Sequence, residues 1–397
     1  MRIIQRNEYL KKIAPYINKN IIKVLTGQRR VGKSYMMRQL MNKIQDTDPQ
    51  SNIIFINKEQ LAFDDIRDYK DLYQYVIHHT KAECKNVVMI DEIQEIMFFE
   101  KALRDLNENP LYDIFCTGSN AVILSGELST FLAGRYIEIQ IHSLSFEEFI
   151  LFHNMEYSKE ALNKYIHFGG MPYLIHLKLE CEIVFDYLKS IYNSIILKDV
   201  VSRYNIRNVN FLDRLVLFLA DNTGSPLSAK NISDFLKSQR LKLSVNTVMR
   251  YLSYLLNSFC INKVSRCDVV GKKIFEINEK YYFEDIGLRN SIISFKQKDI
   301  GKILENIIYN HLKFRGYTVY VGKYNHLEID FMAEKSGQII YVQAAYLFKD
   351  PKTIDREFGN LLKIKDNYRK IVVSMDEYAQ GNIKGVDHLN IIDFFRI

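Results

Sequence analysis

An α/β fold that opens on a parallel sheet is what this sequence predicts, from three features. The first 150 residues alternate β-rich apolar runs with helical patterns, the order that builds strand–helix–strand units. Runs such as IIFI and VVMI are apolar throughout, as strands covered on both faces are. A glycine-bearing loop, Gly27 to Ser34, joins the first such run to a helical pattern. The composition agrees with ordinary globular domains. The chain has 397 residues, 47% of them hydrophobic and 25% charged, with 6 prolines and 17 glycines. That excludes disorder and collagen-like or linker-dominated chains, and the length allows several cores.

Strands are expected at 21–26, 52–57, 86–90, 112–117 and 136–141. From about 151 to 220 the pattern turns helical, and the breaker cluster Thr223-Gly-Ser-Pro226 marks a boundary. Residues 226–285 read as helices followed by two strands, and from Gly301 a helix, strands and an α/β tail follow. The expected domains are therefore 1–150, 151–225, 226–290 and 300–397, with 291–301 as the linker before the last. Five scattered cysteines, Cys84, Cys116, Cys181, Cys260 and Cys267, never form a CxxC pair, which fits a reducing compartment and no zinc knuckle. The N-terminus is charged and lacks an apolar secretory core. No run approaches the ~20 apolar residues of a membrane span. A cytoplasmic protein without a membrane partner is expected.

Gly27-Gln28-Arg29-Arg30-Val31-Gly32-Lys33-Ser34 fits GxxxxGK[ST], follows the strand IIKVLT and leads through Tyr35 into a helix. Glycines let consecutive backbone N–H groups surround a phosphate, and the helix N-terminus adds its positive dipole end. Lys33 is expected on the β/γ-phosphates of a bound ATP, and Ser34 on Mg²⁺. Val87-Val-Met-Ile-Asp91-Glu92 describes a buried strand that delivers two acids to its carboxyl end, where ligands bind in open α/β sheets. Asp91 would hold Mg²⁺ through water, and Glu92 would polarise the attacking water as general base. Ser119 and Asn120 follow the next strand and are candidates to orient the γ-phosphate or the water, with a helix N-cap as the alternative. Arg135, after Gly134, is a candidate arginine finger in cis or from a second copy in a homo-oligomer; a structural ion pair is the alternative.

These residues resemble the bacterial and archaeal AAA-type ATPases of the ASCE P-loop division that carry an uncharacterised C-terminal region. The resemblance rests on TGQRRVGKS, VVMIDEIQ, TGSNA, LAGRYIEIQIHSLSFEEF and FGGMPYL. It implies an extra strand between the two nucleotide motifs, and a place near the nucleotide base for Pro172 of GGMP. Ser143 stands where that family's pattern has proline.

Charge singles out a second region. Between Pro226 and Phe275 nine Lys and Arg (Lys230, Lys237, Arg240, Lys242, Arg250, Lys263, Arg266, Lys272, Lys273) face two acids, Asp234 and Asp268. The whole formal excess of +7 therefore falls in that window. The segment resembles a winged helix: a helix from Ser228, a second helix N-capped by Ser244, and two β-runs joined near Val270-Gly271. Duplex DNA is the expected ligand of residues 226–275, and a protein-interaction module is the competing reading. In the tail, Glu305, Asp330 and Gln343 fall in the order of the PD-(D/E)xK nuclease fold. Here Gln343 replaces the third carboxylate, Ala345 stands at the lysine position, Lys349 lies too far downstream, and Glu328 shares a strand face with Asp330. A neutral amide is a poorer ligand for a hard cation.

The expected architecture is a P-loop NTPase parallel sheet, a helical lid, a winged helix and a C-terminal α/β restriction-endonuclease-like domain. The expected function is Mg²⁺-dependent ATP hydrolysis, with ATP and ADP as ligands, coupled to the winged helix and a degenerate tail. A slow nucleotide-gated switch acting through a partner and an ATP-regulated DNA nuclease are the alternatives.

Overall fold

The computed structural model describes residues 4–124, 132, 134–239, 244–348, 351–376 and 380–397. The chain divides into two compact units, Met1–His142 with Asn257–Phe259, and Ser143–Leu256 with Cys260–Ile397. The first break falls at 143 and not near 150. The cause is local: the Ser145 hydroxyl accepts from the Glu148 amide while the Glu148 carboxylate accepts from the Ser145 N–H. That capping box starts helix Phe146–His153, and its Phe146 and Phe149 pack into the core of the second unit.

In the first unit the strands are β1 (Ile22–Thr26), β2 (Asn52–Asn57), β3 (Asn86–Asp91), β4 (Tyr112–Gly118) and β5 (Tyr136–Gln140), each within one residue of the sequence expectation. They form one parallel sheet in the order β2-β3-β4-β1-β5. β4 thus lies between the strand that carries the glycine-bearing loop and the strand that carries the acids. β3 and β4 are buried at every position, which explains the apolar runs VVMI and IFC within them. Val24, Ile56, Val88, Ile90 and Ile114 form the core with Leu72, Val76, Leu103 and Leu106 from the helices Tyr69–His78 and Phe99–Glu108.

Lys23 interrupts the apolar pattern of β1. Its side chain is fully buried, its ammonium pairs with the equally buried Asp113 of β4 and also donates to the Lys19 carbonyl at 3.1 Å, and it lies over the Phe115 ring. Burial pulls its pKa down, and Asp113 opposes that pull. Removing one partner of a buried pair strands the other charge, at a cost of about 3–5 kcal/mol. Lys23→Met is therefore expected to lower the unfolding free energy by that much, while Lys23→Met with Asp113→Leu recovers most of the loss. Urea melts check both; a single-variant loss below about 1 kcal/mol, the scale of an exposed pair, would contradict the assignment.

The second unit begins with helices, including Lys159–Phe168, Cys181–Ser194 and Val209–Asp221. Cys181–Ser194 continues into a π-helical segment, Ile195–Ser202. Helices Ala229–Ser238 and Val245–Asn257 follow, capped by Ser228 and Ser244, whose hydroxyls accept from Asn231 and Thr247. β6 (Ile261–Asp268) and β7 (Ile274–Phe283) form the expected hairpin. The remaining strands are β8 (Thr318–Tyr324), β9 (Leu327–Lys335), β10 (Gln338–Ala344), β11 (Arg369–Ser374), β12 (Gln380–Ile383) and β13 (Val386–Asn390).

Among the described residues, the eight strands of this unit belong to one sheet, ordered β12-β13-β11-β10-β9-β8-β6-β7. The segments 226–290 and 300–397, expected as separate domains, are thus stitched together. β6 pairs in parallel with β8, Arg266 opposite Val321 and Asp268 opposite Lys323, which satisfies a hairpin edge that would otherwise stay unpaired. Cys267 and Val269 are buried in the same core cluster as Ile329 and Tyr341. The expected linker 291–301 is likewise no linker: the ends of helices Ile286–Ile293 and Ile300–Phe314 and the 3₁₀ turn Gln297–Asp299 between them occupy most of it, and fully buried Arg289 pairs with Asp299 at 3.0 Å. Among the described residues, no helix is long and apolar enough to cross a membrane. The five cysteines are free.

Candidate functional site

The carboxyl ends of β1, β4 and β3, adjacent in the sheet, gather the polar residues of the first unit. After β1 the chain turns at Gly27, with φ +141°, where an added Cβ would run into the Ile141 carbonyl. Only glycine fits there. The loop then enters helix Lys33–Thr47 directly, with Gly32 as its N-cap. The Lys33 ammonium folds back over the loop and donates to the carbonyls of Gly27 at 2.9 Å and Gln28 at 3.0 Å. The loop is braced from outside by buried Arg6, which donates to the carbonyls of Val31 at 3.1 Å and His142 at 3.0 Å. Arg29 is buried and pairs with Glu59 at 3.6 Å, whereas Arg30 and Tyr35 are exposed.

β3 delivers Asp91 and Glu92 to the same edge. Asp91 is fully buried; its carboxylate accepts from the Thr117 hydroxyl at 2.5 Å and from Ser34. Burial pushes its pKa up, and those two hydrogen bonds hold it back. Glu92 takes a left-handed backbone, φ +55°, and its amide donates to Thr117 Oγ1 at 2.9 Å. Its carboxylate accepts from Gln94 and, at 3.1 Å, from Ser119. Burial alone would raise the Glu92 pKa, but Lys33, Gln94, Arg29 and Ser119 together hold it below the usual carboxylate range. Glu95, one turn on, is exposed.

Among the described residues, four side chains at this edge keep buried polar atoms without a hydrogen-bond partner: both ends of the Gln28 amide, Asp91 Oδ2, Gln94 Oε1 and Asn120 Nδ2. Buried polar groups are nearly always satisfied, so a cluster of orphans where a loop, a lysine and two acids meet fits a polar, charged ligand. The donor set matches a phosphate and a hard cation: backbone amides at a helix start, one ammonium, one hydroxyl and one carboxylate oxygen still open.

The sequence-predicted residues do not all meet. Gly27 to Ser34, Asp91, Glu92, Ser119 and Asn120 share the edge. The Asn120 oxygen also caps the short 3₁₀ turn Ala121–Leu124, accepting from Val122 at 2.8 Å. Arg135 pairs with Glu108 at 2.5 Å, so the structural alternative describes its resting place. Pro172 opens the 3₁₀ turn Pro172–His176 of the second unit. The glycines before it serve packing: a Cβ at Gly170 would strike the Leu144 backbone, and the Gly170 amide donates to Asp285 at 2.7 Å. Ser143, in place of the expected proline, donates to the Glu284 carbonyl at 3.2 Å. Sequence reasoning missed Gln94, Thr117 and Arg6. The only signal for Thr117 was a polar residue at the end of a buried strand.

Of the nine cations in the basic window, three are paired: Lys237 with Asp234, Lys263 with Glu279, and Arg266 with Glu328. Arg240 and Lys242 lie outside the described residues. Lys230, Arg250, Lys272 and Lys273 are exposed. Arg250 is on the second helix of the segment, and Lys272 and Lys273 lie at the hairpin tip.

Residues 19–150 match the AAA domain family, and residues 159–299 match a domain of unknown function. An uncharacterised protein of Haemophilus influenzae is 36% identical over 398 aligned positions, covering 99% of this chain and 98% of its own. An uncharacterised protein of Methanocaldococcus jannaschii is 32% identical, covering 99% and 93%. The solved structure of a Walker-type ATPase of Pyrococcus abyssi superposes with a TM-score of 0.51 at 15% identity, covering 73% of this chain and 96% of its own. That is a likeness of fold.

Proposed function

We propose that this chain, which belongs to the AAA-domain family of its Haemophilus influenzae and Methanocaldococcus jannaschii relatives, hydrolyses ATP to ADP and phosphate and uses the cycle to move its second unit. The observation that supports this most is the convergence of Lys33, Ser34, Asp91 and Glu92 on one sheet edge whose Gln28, Asp91 and Asn120 retain unsatisfied polar atoms. Ser34 and Asp91 would hold Mg²⁺, which would neutralise phosphate charge. Lys33 exchanges two loop carbonyls for phosphate oxygens and stabilises charge that grows during transfer. Glu92, kept charged by its neighbours, accepts the proton of the attacking water. Arg135 reaches a nucleotide, in cis or in a second copy, only by leaving Glu108. Pro172 is the candidate for the base.

One observation favours a slow, nucleotide-gated switch as the second reading. Glu92 Oε2 already accepts from both Gln94 and Ser119, and these bonds, with Lys33 and Arg29, hold its pKa down, so the carboxylate is a weak base until a donor lets go. Phosphate release at steady state separates the two. Robust Mg²⁺-dependent turnover favours the ATPase, and purification with tightly held ADP favours the switch.

For the second unit, exposed Lys230, Arg250, Lys272 and Lys273 support duplex DNA as a ligand of residues 226–275. The expected result is affinity that falls steeply with salt. Lys272→Glu with Lys273→Glu should weaken all sequences alike and flatten the log–log salt slope by about two. A flat salt dependence, or unchanged affinity in the double variant, removes DNA from the proposal.

A further inference from the structure

Residue types alone leave the tail short of a metal site, and the geometry closes it further. Three carboxylates, Glu305 of helix Ile300–Phe314 and Glu328 and Asp330 of β9, converge on one ammonium. That ammonium belongs to Lys280 of β7, which is 3% exposed. Lys280 Nζ lies 2.8 Å from Glu305, 3.0 Å from Glu328 and 3.7 Å from Asp330.

Other donors reach the same carboxylates. The Tyr282 hydroxyl donates to Glu305 at 2.6 Å, and the Ala344 amide donates to Asp330 at 2.9 Å. Arg266 lies 3.7 Å from Glu328. The Gln343 side chain is engaged at both ends, its oxygen accepting from the Asp330 amide at 3.3 Å and its nitrogen donating to the Glu357 carboxylate at 3.0 Å. Ala345 is buried and offers no donor. Among the described residues, no group of three or more His, Cys, Asp or Glu is arranged to hold a metal. A divalent ion needs oxygens at roughly 2.0–2.6 Å, and an ammonium already in contact with the same oxygens would repel it.

We propose that Lys280 is the resident cation of this carboxylate cluster: it stands where a divalent metal would stand, and it fastens β7 to β9 and the helix at 300–314 in a metal-free state. The lysine comes from β7, outside the segment that carries Glu305, Asp330 and Gln343. Burial, then Glu305 beside it, pushes Asp330 well above the usual carboxylate range despite Lys280, as expected where carboxylates crowd together out of water. All of these residues belong to the second unit, and the inference stands apart from the ATPase reading.

Thermal melting of the full nucleotide-free chain tests it, with and without millimolar Mn²⁺. Wild type should melt at the same temperature in both. Lys280→Ala should lose roughly 10 °C and regain at least half of that with Mn²⁺, and Lys280→Ala with Asp330→Asn should regain nothing. Should Lys280→Ala not fold, wild type against Asp330→Asn decides alone, because Mn²⁺ stabilisation of wild type that Asp330→Asn abolishes overturns the proposal. So does a Lys280→Ala variant that folds but ignores Mn²⁺. Mn²⁺-dependent DNA cleavage that both Lys280→Ala and Asp330→Ala remove would make Lys280 a nuclease lysine and overturn it as well.

Discussion

Lys33→Ala is expected to reduce ATP binding and turnover by at least about 10²-fold, the scale for removing one preorganised charge donor from a phosphate site. The fold should survive. Lys33 makes two hydrogen bonds to loop carbonyls, and their loss costs about 1–3 kcal/mol, a modest fraction of a domain's stability. Titration with a fluorescent nucleotide and a urea melt of the same variant read the two effects apart. Unchanged turnover sinks the site assignment. A lost fold would instead mean that the lysine acts as the keystone of the loop.

Much of the first unit was legible because buried parallel strands leave a coarse signal. β2, β3 and β4 are apolar nearly end to end, and their polar residues fall at the ends where the chain leaves the sheet. The loop Gly27 to Ser34 was legible because its spacing is the chemistry: a turn that only glycine makes, then amides, then a lysine. The partners of those residues were not. Thr117 meets Asp91 across 26 positions, and Arg6 meets His142 across 136. No local pattern encodes such encounters, which depend on strand order. The second unit repeats the lesson. Two helices and a hairpin were readable from caps and periodicity, but the parallel pairing of β6 with β8 was not, so one sheet was read as two domains. Lys280 escaped for the same reason. It sits 25 positions before Glu305 on a strand that joins the sheet from the other side of a helix pair.

Glu92→Gln carries the second large effect and separates binding from chemistry. The substitution keeps size and one acceptor oxygen, which can still face Gln94 and Ser119, but replaces the other with an amide nitrogen and removes the charge, so ATP should remain bound while hydrolysis slows by on the order of 10²-fold or more. On the Glu92 side the bond to the Thr117 hydroxyl uses only the backbone N–H, so the substitution leaves it in place and the strand end should hold its shape. The charged state of the wild-type residue fixes the pH dependence. Burial would raise its pKa, yet Lys33, Gln94, Arg29 and Ser119 depress it, so the carboxylate remains charged through neutral pH. Its activity should fail only as pH drops below the ordinary glutamate range, and Glu92→Gln should lack that limb. Wild-type turnover in the variant would move the base elsewhere. Glu95 is a weak heir, because it is exposed at the surface while Glu92 lies buried beside the lysine, the serine and the unsatisfied oxygen of Asp91. Single-turnover hydrolysis alongside equilibrium ATP binding measures both halves of the prediction in one preparation.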